Sequence, residues 1–275
     1  MKAVMLAAGV GRRLYGDDSN DPPKALLRFD GKTLLARNFE ILRNNGVEEL
    51  VLIVGHRKED LLAEADALAP EGFVRSVFNP RFKEGPILSL WTASDELRSG
   101  EDILFMDADV LYHPEIMSRL MASASENCFV MDFDIELVAE PVKLCIRDGE
   151  PVDFGKQVTD DYHQIGEWPG FLRMTADIAT KVAAAAKAHV DANNLTATYE
   201  TAMREVLVSE PVGTFGFEDI TGIPWTEIDF PEDVTRAEEV ILPRIKEFAS
   251  GELEPELETE SGADSPPLVS EVSAE

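Results

Sequence analysis

The sequence Leu6-Ala7-Ala8-Gly9-Val10-Gly11-Arg12-Arg13-Leu14 directly follows a short apolar run, residues 3–6, at the start of the chain. The run predicts a buried strand, and the glycine-rich segment predicts a loop at its carboxyl end. In an open α/β sheet ligands bind at the carboxyl ends of the strands, where glycines let the backbone approach an anion closely. We therefore expect a phosphate-binding loop here, although a tight turn from strand to helix has the same local pattern.

The spacing of the glycines excludes two common phosphate-binding motifs. Leu14 occupies the place of the third glycine in the G-x-G-x-x-G dinucleotide motif, and Asp17 and Asp18 stand where a P-loop needs Lys and Ser or Thr. The next signal is Pro22-Pro23-Lys24-Ala25-Leu26-Leu27, in which two prolines hold Lys24 on a stiff, extended segment. A cation held in this way is suited to neutralising a departing phosphate.

Strand-like and helix-like segments alternate beyond this loop. The predicted strands are 3–6, 50–54, 74–78, 103–106, 128–133, 142–146 and 171–174, and the predicted helices are 34–43, 58–68, 87–97, 176–190, 198–207 and 231–248. Apolar strands separated by helices of this length indicate βαβ units and a sheet covered on both faces. The predicted fold is a single three-layer α/β/α domain over residues 1–250 with a mostly parallel, mixed sheet.

The composition excludes several classes of protein. The 275 residues include 53 acidic and 25 basic side chains, a formal charge of −28, so we expect no nucleic acid partner. No apolar run approaches the roughly 18–20 residues that span a bilayer, and Cys128 and Cys145 allow at most one disulfide. We therefore expect a cytoplasmic protein without a membrane partner.

Residues 251–275 differ from the rest of the chain. They contain eight acidic residues and no Lys or Arg. Their apolar content is too low to offset the entropy lost on ordering, so we expect a disordered acidic tail. A solubilising extension is the simplest interpretation, and a partner-binding role stays open.

Two acidic segments are candidate metal ligands. Asp107-Ala108-Asp109 ends a predicted strand, so both carboxylates are expected at the same sheet edge as the first loop and on one face of the extended chain. Such hard oxygen ligands suit Mg²⁺, which typically takes one or two carboxylates together with substrate phosphates. A turn that simply uses Asp is the alternative. Glu227-Ile228-Asp229 precedes the last predicted helix, whose first turn carries Glu232 and Asp233.

The first loop and the Lys24 segment together carry a family resemblance. L-A-A-G-x-G-x-R-L followed about ten residues later by P-K-A-L resembles the signature of nucleotidyltransferases that activate sugar phosphates and related phosphorylated alcohols. The resemblance covers about residues 1–245. It is strongest to the group of cytidylyltransferases that act on phosphocholine, inositol 1-phosphate and 2-aminoethylphosphonate. It implies a Rossmann-like fold.

The resemblance also implies roles for individual residues. The nucleotide-binding residues are expected to be Leu6, Ala7, Ala8, Gly9, Gly11, Gly85, Ser89 and Asp107. Arg13 and Lys24 match residues that bind the triphosphate, and Lys156 matches a lysine that contacts the acceptor phosphate and the α-phosphate. Asp109 and Asp229 match the Mg²⁺ ligands, with Asp107 in support. Glu167 and Trp168 lie in a segment that resembles the lining of the acceptor pocket.

The activity implied is the Mg²⁺-dependent joining of a nucleoside triphosphate, with CTP favoured, to a small phosphorylated alcohol or phosphonate, with release of pyrophosphate. Pro86 and Ile87 replace an Asn that related sequences often carry before Ser89-Leu90. A sugar-1-phosphate nucleotidyltransferase that uses UTP or another nucleotide is therefore the first alternative. A catalytically inactive nucleotide-sensing module is the second. The acceptor and the oligomeric state, a homo-oligomer included, stay open at this stage.

Overall fold

The computed structural model describes residues 1–16, 20–135, 141–159 and 161–251 of the chain. The predicted acidic tail falls outside these residues apart from Gly251, so its disorder stays a prediction. The boundary of the domain at residue 250 likewise stays a prediction.

Strands and helices alternate along most of the chain. The strands are β1 (Lys2–Ala7), β2 (Arg28–Phe29), β3 (Lys32–Thr33), β4 (Glu49–Val54), β5 (Val74–Phe78), β6 (Ile103–Asp107), β7 (Val110–Tyr112), β8 (Cys128–Met131), β9 (Lys143–Arg147), β10 (Glu150–Gly155), β11 (Gln164–Glu167), β12 (Phe171–Met174), β13 (Gly216–Asp219) and β14 (Trp225–Glu227). The helices are α1 (Arg12–Tyr15), α2 (Leu34–Asn44), α3 (Lys58–Leu68), α4 (Ile87–Thr92), α5 (Ser94–Leu97), α6 (Pro114–Ala122), α7 (Ala176–Asp191), α8 (Tyr199–Ser209), α9 (Pro231–Arg236) and α10 (Leu242–Ser250). A 3₁₀ turn spans Lys24–Leu26, and a π turn spans Ala237–Ile241.

The main sheet has seven strands in the order β13-β8-β12-β6-β1-β4-β5. Strands β6, β1, β4 and β5 are parallel to one another, and β13 is parallel to β8. Strand β12 runs antiparallel to both of its neighbours. The prediction of a mostly parallel, mixed sheet is confirmed.

Helices cover both faces of this sheet. Successive side chains of a strand point to opposite faces, and β1 accordingly places Val4 in one core cluster and Ala3 and Met5 in another. The Val4 cluster includes residues of α4, α5, α7 and α8, and the other includes residues of α2, α3 and α6. The three-layer, Rossmann-like α/β/α architecture is therefore confirmed.

Three smaller sheets lie beside the main one. Strands β10, β9 and β11 form an antiparallel sheet, β2 and β3 form a hairpin, and β7 pairs antiparallel with β14. A third apolar cluster joins the hairpin, the β7–β14 pair and the C-terminal helices through Phe29, Leu111, Ile228 and Ile241. This cluster anchors the segment that carries Asp229.

Several element predictions need correction. The predicted strand 142–146 belongs to the separate three-stranded sheet as β9, and the predicted helix 87–97 is two short helices that meet at Ala93. The last helical segment contains the π turn just before Pro243. Proline lacks an N–H and crowds the carbonyl four residues earlier, so a widened turn accommodates it. Helix α6 and strands β2, β3, β10, β11 and β13 were not predicted.

Within the part of the chain that the structure describes, no helix is both long enough and apolar enough to cross a membrane.

Candidate active site

The loop that follows β1 lines a cavity of about 560 Å³. The same cavity is lined by the residues that follow β6, so it lies at the carboxyl ends of two neighbouring parallel strands. It brings together most of the residues that the sequence singled out, namely Leu6, Ala7, Ala8, Gly9, Gly11, Arg13, Lys24, Gly85, Ser89, Asp107, Asp109 and Asp229. We call it the nucleotide cavity.

Gly9 and Gly85 line the nucleotide cavity for different reasons. A Cβ atom added to Gly9 would meet nothing within 4 Å, and Gly9 does not have a positive φ. A Cβ atom added to Gly85 would lie 1.9 Å from the carbonyl oxygen of Leu195. Packing therefore requires glycine at 85, whereas at 9 glycine leaves open space in front of the backbone, where a ligand could approach.

Ser89 is held by a residue that the sequence analysis did not single out. Asn79 is buried, and its Nδ2 donates a hydrogen bond to Ser89 Oγ at 3.3 Å. The Asn79 backbone N–H is itself bound to Val54 O at the end of β4. Asn79 thus ties the start of α4 to the carboxyl end of the sheet.

Lys24 connects the two acidic segments. Its Nζ lies 2.9 Å from Asp109 Oδ2 and 2.7 Å from Asp229 Oδ1, and Arg13 binds the other oxygen of Asp229 at 2.8 Å. Burial alone would lower the pKa of Lys24, but the two carboxylates outweigh it and raise that pKa. Lys24 therefore stays charged between the two aspartates.

Three carboxylates converge beside Lys24. One oxygen each of Asp109, Glu227 and Asp229 lies within 4.8 Å of the others, which is a spacing that could hold a divalent cation. Part of the Glu227 side chain is reachable by solvent, but its partial removal from water and the charges of Asp109 and Asp229 raise its pKa to about 8. This crowding of negative charge is what a bound cation would relieve.

The β7–β14 pair brings these carboxylates together. Glu227 pairs with Val110, and the Ile228 N–H donates to Asp109 O at 2.9 Å. In the first turn of α9, Asp233 Oδ2 accepts a hydrogen bond from the N–H of Asp229 at 2.8 Å. This bond fixes Asp229 just before the helix. Long-range pairing therefore places residues 109 and 229 side by side.

Asp107 lies apart from the group of three carboxylates. It was expected to share a face with Asp109, but β6 ends at Asp107 and the chain bends before β7, so the two are not in one extended segment. Asp107 is buried and accepts a hydrogen bond from Tyr199 Oη at 2.9 Å. Burial, then the charges of Asp109 and Glu227, raise the pKa of Asp107 well above its usual range.

A second cavity of about 230 Å³ adjoins the first. The two share Arg13, Asp107, Tyr199, Glu227 and Asp229 in their walls. The three remaining predicted site residues line this second cavity, namely Lys156, Glu167 and Trp168. We call it the acceptor cavity, and the shared residues mark the junction where two bound molecules would meet.

Trp168, the aromatic residue expected at the acceptor cavity, is also a core residue. Trp168 lines it, but the side chain is buried against Phe105 and Phe154, and its Nε1–H donates to Phe171 O at 2.8 Å. Trp91 is not among the residues that line this cavity and packs beneath Arg98 and Lys187.

Several lining residues gave no recognisable signal in the sequence. Phe82 and Lys83 belong to the nucleotide cavity, and Asp132, Glu200 and Trp225 belong to the acceptor cavity. Glu227 lies in the second acidic segment that the sequence singled out, although no role of its own was predicted for it. The others reach the site only through tertiary packing.

Comparison with known proteins assigns the family. The model of the MobA-like NTP transferase domain matches residues 3–167. The chain belongs to this family. Its fold agrees with that of the solved inositol-1-phosphate CTP transferase from T. maritima, with a TM-score of 0.68, 20% identity, and coverage of 91% of this chain and 96% of that one.

Curated relatives are similar over most of this chain. The bifunctional IPC transferase and DIPP synthase of Rubrobacter xylanophilus is 30% identical over 246 residues, which are 87% of this chain and 52% of the relative. The CMP-5′-(3-aminopropyl)phosphonate synthase of Streptomyces rubellomurinus is 28% identical over 86% of this chain and 38% of the relative. The chain thus spans about half, or less, of the length of these two proteins.

Proposed function

We propose that this chain is a Mg²⁺-dependent cytidylyltransferase that joins CTP to a small phosphorylated alcohol or phosphonate and releases pyrophosphate. The observation that carries the proposal is the arrangement of Arg13 and Lys24 against three convergent carboxylates at the junction of two cavities. The similarity to a relative named as a CMP-5′-(3-aminopropyl)phosphonate synthase supports the choice of CTP.

The nucleotide would lie in the larger cavity. Residues 6–11 would hold the base and the phosphates through backbone N–H groups, as glycine-rich loops do for anions. Arg13 and Lys24 would neutralise the pyrophosphate group, a role in which charge stabilisation is worth most in a site that excludes water.

The residues fit a divalent cation, because three carboxylate oxygens converge with no more than 4.8 Å between them. Mg²⁺ held by Asp109, Glu227 and Asp229 would supply positive charge for the reacting phosphate oxygens. Lys24 forms ion pairs with two of these carboxylates, Asp109 and Asp229. Once a bound cation balances the negative charge of the carboxylates, Lys24 would be free to bind the triphosphate.

The acceptor would lie in the smaller cavity, with Lys156 near its phosphate or phosphonate group. An oxygen of that group attacks the α-phosphorus, and the bond from the α-phosphorus to the bridging oxygen breaks, so that pyrophosphate leaves with the electron pair. No covalent intermediate with the enzyme is needed. Positioning the two reactants accounts for most of the rate enhancement in reactions of this type.

The test is the release of pyrophosphate in the presence of Mg²⁺. CTP, UTP, ATP and GTP are each combined with phosphocholine, inositol 1-phosphate, 2-aminoethylphosphonate and glucose 1-phosphate, and products are identified by mass spectrometry. We expect release with CTP and a non-sugar acceptor. Release with UTP and glucose 1-phosphate would replace the proposal with the sugar-phosphate alternative. Nucleotide binding without any release would favour a sensing module.

A further inference from the structure

The acceptor cavity has an unusually acidic lining for a site that must take an anion. Besides the carboxylates at the junction, its walls carry Asp132, Asp134, Glu167, Glu200 and Asp233, whereas its basic residues are Arg13, Lys156, Arg236 and Arg244. A phosphate group alone would be repelled by such walls. The lining therefore suits a molecule that carries a positive charge as well as a phosphate or phosphonate.

Glu200 is the acidic residue whose position needs an explanation. Its relative exposure is 7%, and its Oε2 atom is buried without a hydrogen-bond partner among the residues that the structure describes. A buried carboxylate oxygen without a partner destabilises the folded protein considerably. Glu200 lies in the first turn of α8, where acids are favoured, but an exposed side chain would gain the same benefit from the helix dipole. Its burial in a cavity wall therefore indicates a missing partner.

The carboxylate of Asp132, which lines the same cavity, already has hydrogen-bond donors. Its Oδ2 accepts the Nε1–H of Trp225 at 2.7 Å, and its Oδ1 accepts the N–H of Asp134 at 2.9 Å. These bonds hold the indole of Trp225 in the wall of the acceptor cavity, where an aromatic ring attracts cations. The wall thus contains the anchored ring of Trp225 and, in Glu200, a carboxylate of which one oxygen lacks a donor among the described residues.

We infer that the acceptor carries a primary ammonium group, which donates a hydrogen bond to Glu200 and lies near Trp225. This inference rests on the proposed nucleotidyl transfer. A hydroxyl group could donate to Glu200 but would leave its charge uncompensated, and a quaternary ammonium group has no N–H to donate. A primary ammonium group supplies both the donor and the charge.

The experiment compares acceptors that differ in this group alone. 2-Aminoethylphosphonate and propylphosphonate have nearly the same shape, with –NH₃⁺ in one and –CH₃ in the other. We expect kcat/KM for CTP-dependent pyrophosphate release to be about tenfold to hundredfold higher with the amine, which is the range of a charge-assisted hydrogen bond. Phosphocholine, which lacks an N–H donor, is expected to fall below the amine.

The variant Glu200→Gln keeps the shape of the side chain and removes its charge. We expect the ratio of kcat/KM between the amine and propylphosphonate to collapse toward one, mainly through a higher KM for the amine. Glu205→Gln, on the exposed side of the same helix, is the matched control and should keep the ratio. Calorimetric titration with CTP verifies that each variant still binds the nucleotide.

The outcomes separate the two proposals. Turnover of propylphosphonate or inositol 1-phosphate at the rate of the amine, or an unchanged ratio in Glu200→Gln, would overturn the ammonium site and leave nucleotidyl transfer standing. Turnover of phosphocholine equal to that of the amine would overturn the requirement for an N–H donor. No pyrophosphate release with any nucleotide and acceptor would overturn both nucleotidyl transfer and the ammonium site.

Discussion

Lys24 occupies a position in which two roles compete. In the structure its ammonium group lies between Asp109 and Asp229, at 2.9 and 2.7 Å. A divalent cation bound by the same carboxylates would compete with it for their negative charge. We therefore expect Lys24 to oppose metal binding by these carboxylates until a triphosphate offers it another anion.

This competition gives a prediction for Lys24→Met. We expect turnover to fall by about 10²–10³-fold, because a charge that stabilises the departing pyrophosphate is lost. Without nucleotide, however, the variant should bind Mn²⁺ more tightly than the wild type, since its carboxylates are no longer neutralised. Electron paramagnetic resonance titration of free Mn²⁺ measures this directly.

Two matched variants make that result interpretable. Lys32→Met removes a surface lysine that pairs with Glu40 outside the site, and both activity and Mn²⁺ affinity should stay unchanged. Asp109→Asn should weaken Mn²⁺ binding and also reduce turnover. If Lys24→Met instead weakened Mn²⁺ binding, the lysine would not be a competitor of the metal.

The two glycines of the nucleotide cavity should respond oppositely to the same substitution. Gly9→Ala should fold normally, because its Cβ meets nothing, but CTP affinity should fall by about tenfold or more, about 1.4 kcal/mol. Gly85→Ala should destabilise the fold by about 1–3 kcal/mol, because its Cβ would overlap the Leu195 carbonyl. Urea unfolding and calorimetry distinguish them, and a destabilised Gly9→Ala would disprove the assignment of open space.

At the level of elements, the β7–β14 pair positions the carboxylates. Ile228 is fully buried in the third apolar cluster, between Glu227 and Asp229. We expect Ile228→Ala to lower the free energy of unfolding by about 2–5 kcal/mol through the cavity it leaves. Mn²⁺ affinity should fall as well, because the two flanking carboxylates lose their support.

The control for Ile228 lies in the π turn. Val240 is 47% exposed, so Val240→Ala should change stability by no more than about 0.5 kcal/mol. Urea unfolding monitored by circular dichroism provides both values. If Ile228→Ala were destabilised but bound Mn²⁺ with normal affinity, the position of the carboxylates would not depend on the packing of Ile228.

Helix α8, which carries Tyr199 and Glu200, is tied to β10 by an ion pair. Arg204 Nε donates to the buried Asp153 at 2.6 Å, and the N–H groups of Thr159 and Phe154 also bind this carboxylate. Burial would raise the pKa of Asp153, but these hydrogen bonds outweigh it and lower the pKa. The ionised form is therefore the one that stabilises the folded state.

The sign of the pH dependence follows from this lowered pKa. The stabilisation by Asp153 is fully present above the unfolded value of 3.8 and is lost as the pH falls through the lower folded value. We expect Asp153→Asn to cost about 1–3 kcal/mol at pH 7 and progressively less below about pH 4. Urea unfolding of both proteins between pH 3 and 7 measures the difference, and a constant difference would exclude this pair as its source.

Elements that are defined by the pattern of a short stretch of sequence were predicted, whereas long-range strand pairing was not. Strands β1, β4 and β6 are continuous apolar runs and were predicted close to their observed ends. Strands β7 and β14 have three residues each, and their pairing joins segments far apart in the chain. Periodicity within a short window carries no information about such a ladder.

At the scale of the whole molecule, the formal charge of −28 opposes the approach of anionic substrates. Screening shortens the range of this repulsion from about 30 Å at 0.01 M salt to about 8 Å at 0.15 M. We therefore expect kcat/KM for the nucleotide to rise over this range of KCl at fixed free Mg²⁺. A parallel series in NaCl separates ionic strength from an effect of K⁺, and a steady fall would show that the local basic residues dominate.

The sequence by itself determined the alternating α/β layers and the position of the glycine-rich loop, and it singled out Arg13, Lys24, Asp109 and Asp229. The layers and the loop follow from patterns within a few residues, because hydrophobic period and glycine spacing are local properties of the chain. The roles expected of the four residues come from the family resemblance. Only the tertiary structure decided that Glu227, rather than Asp107, completes the carboxylate group. It also decided that Glu200 is buried in a cavity wall without a partner among the described residues. Contacts and burial of this kind depend on segments that meet only when the sheet has formed, and no local pattern encodes them.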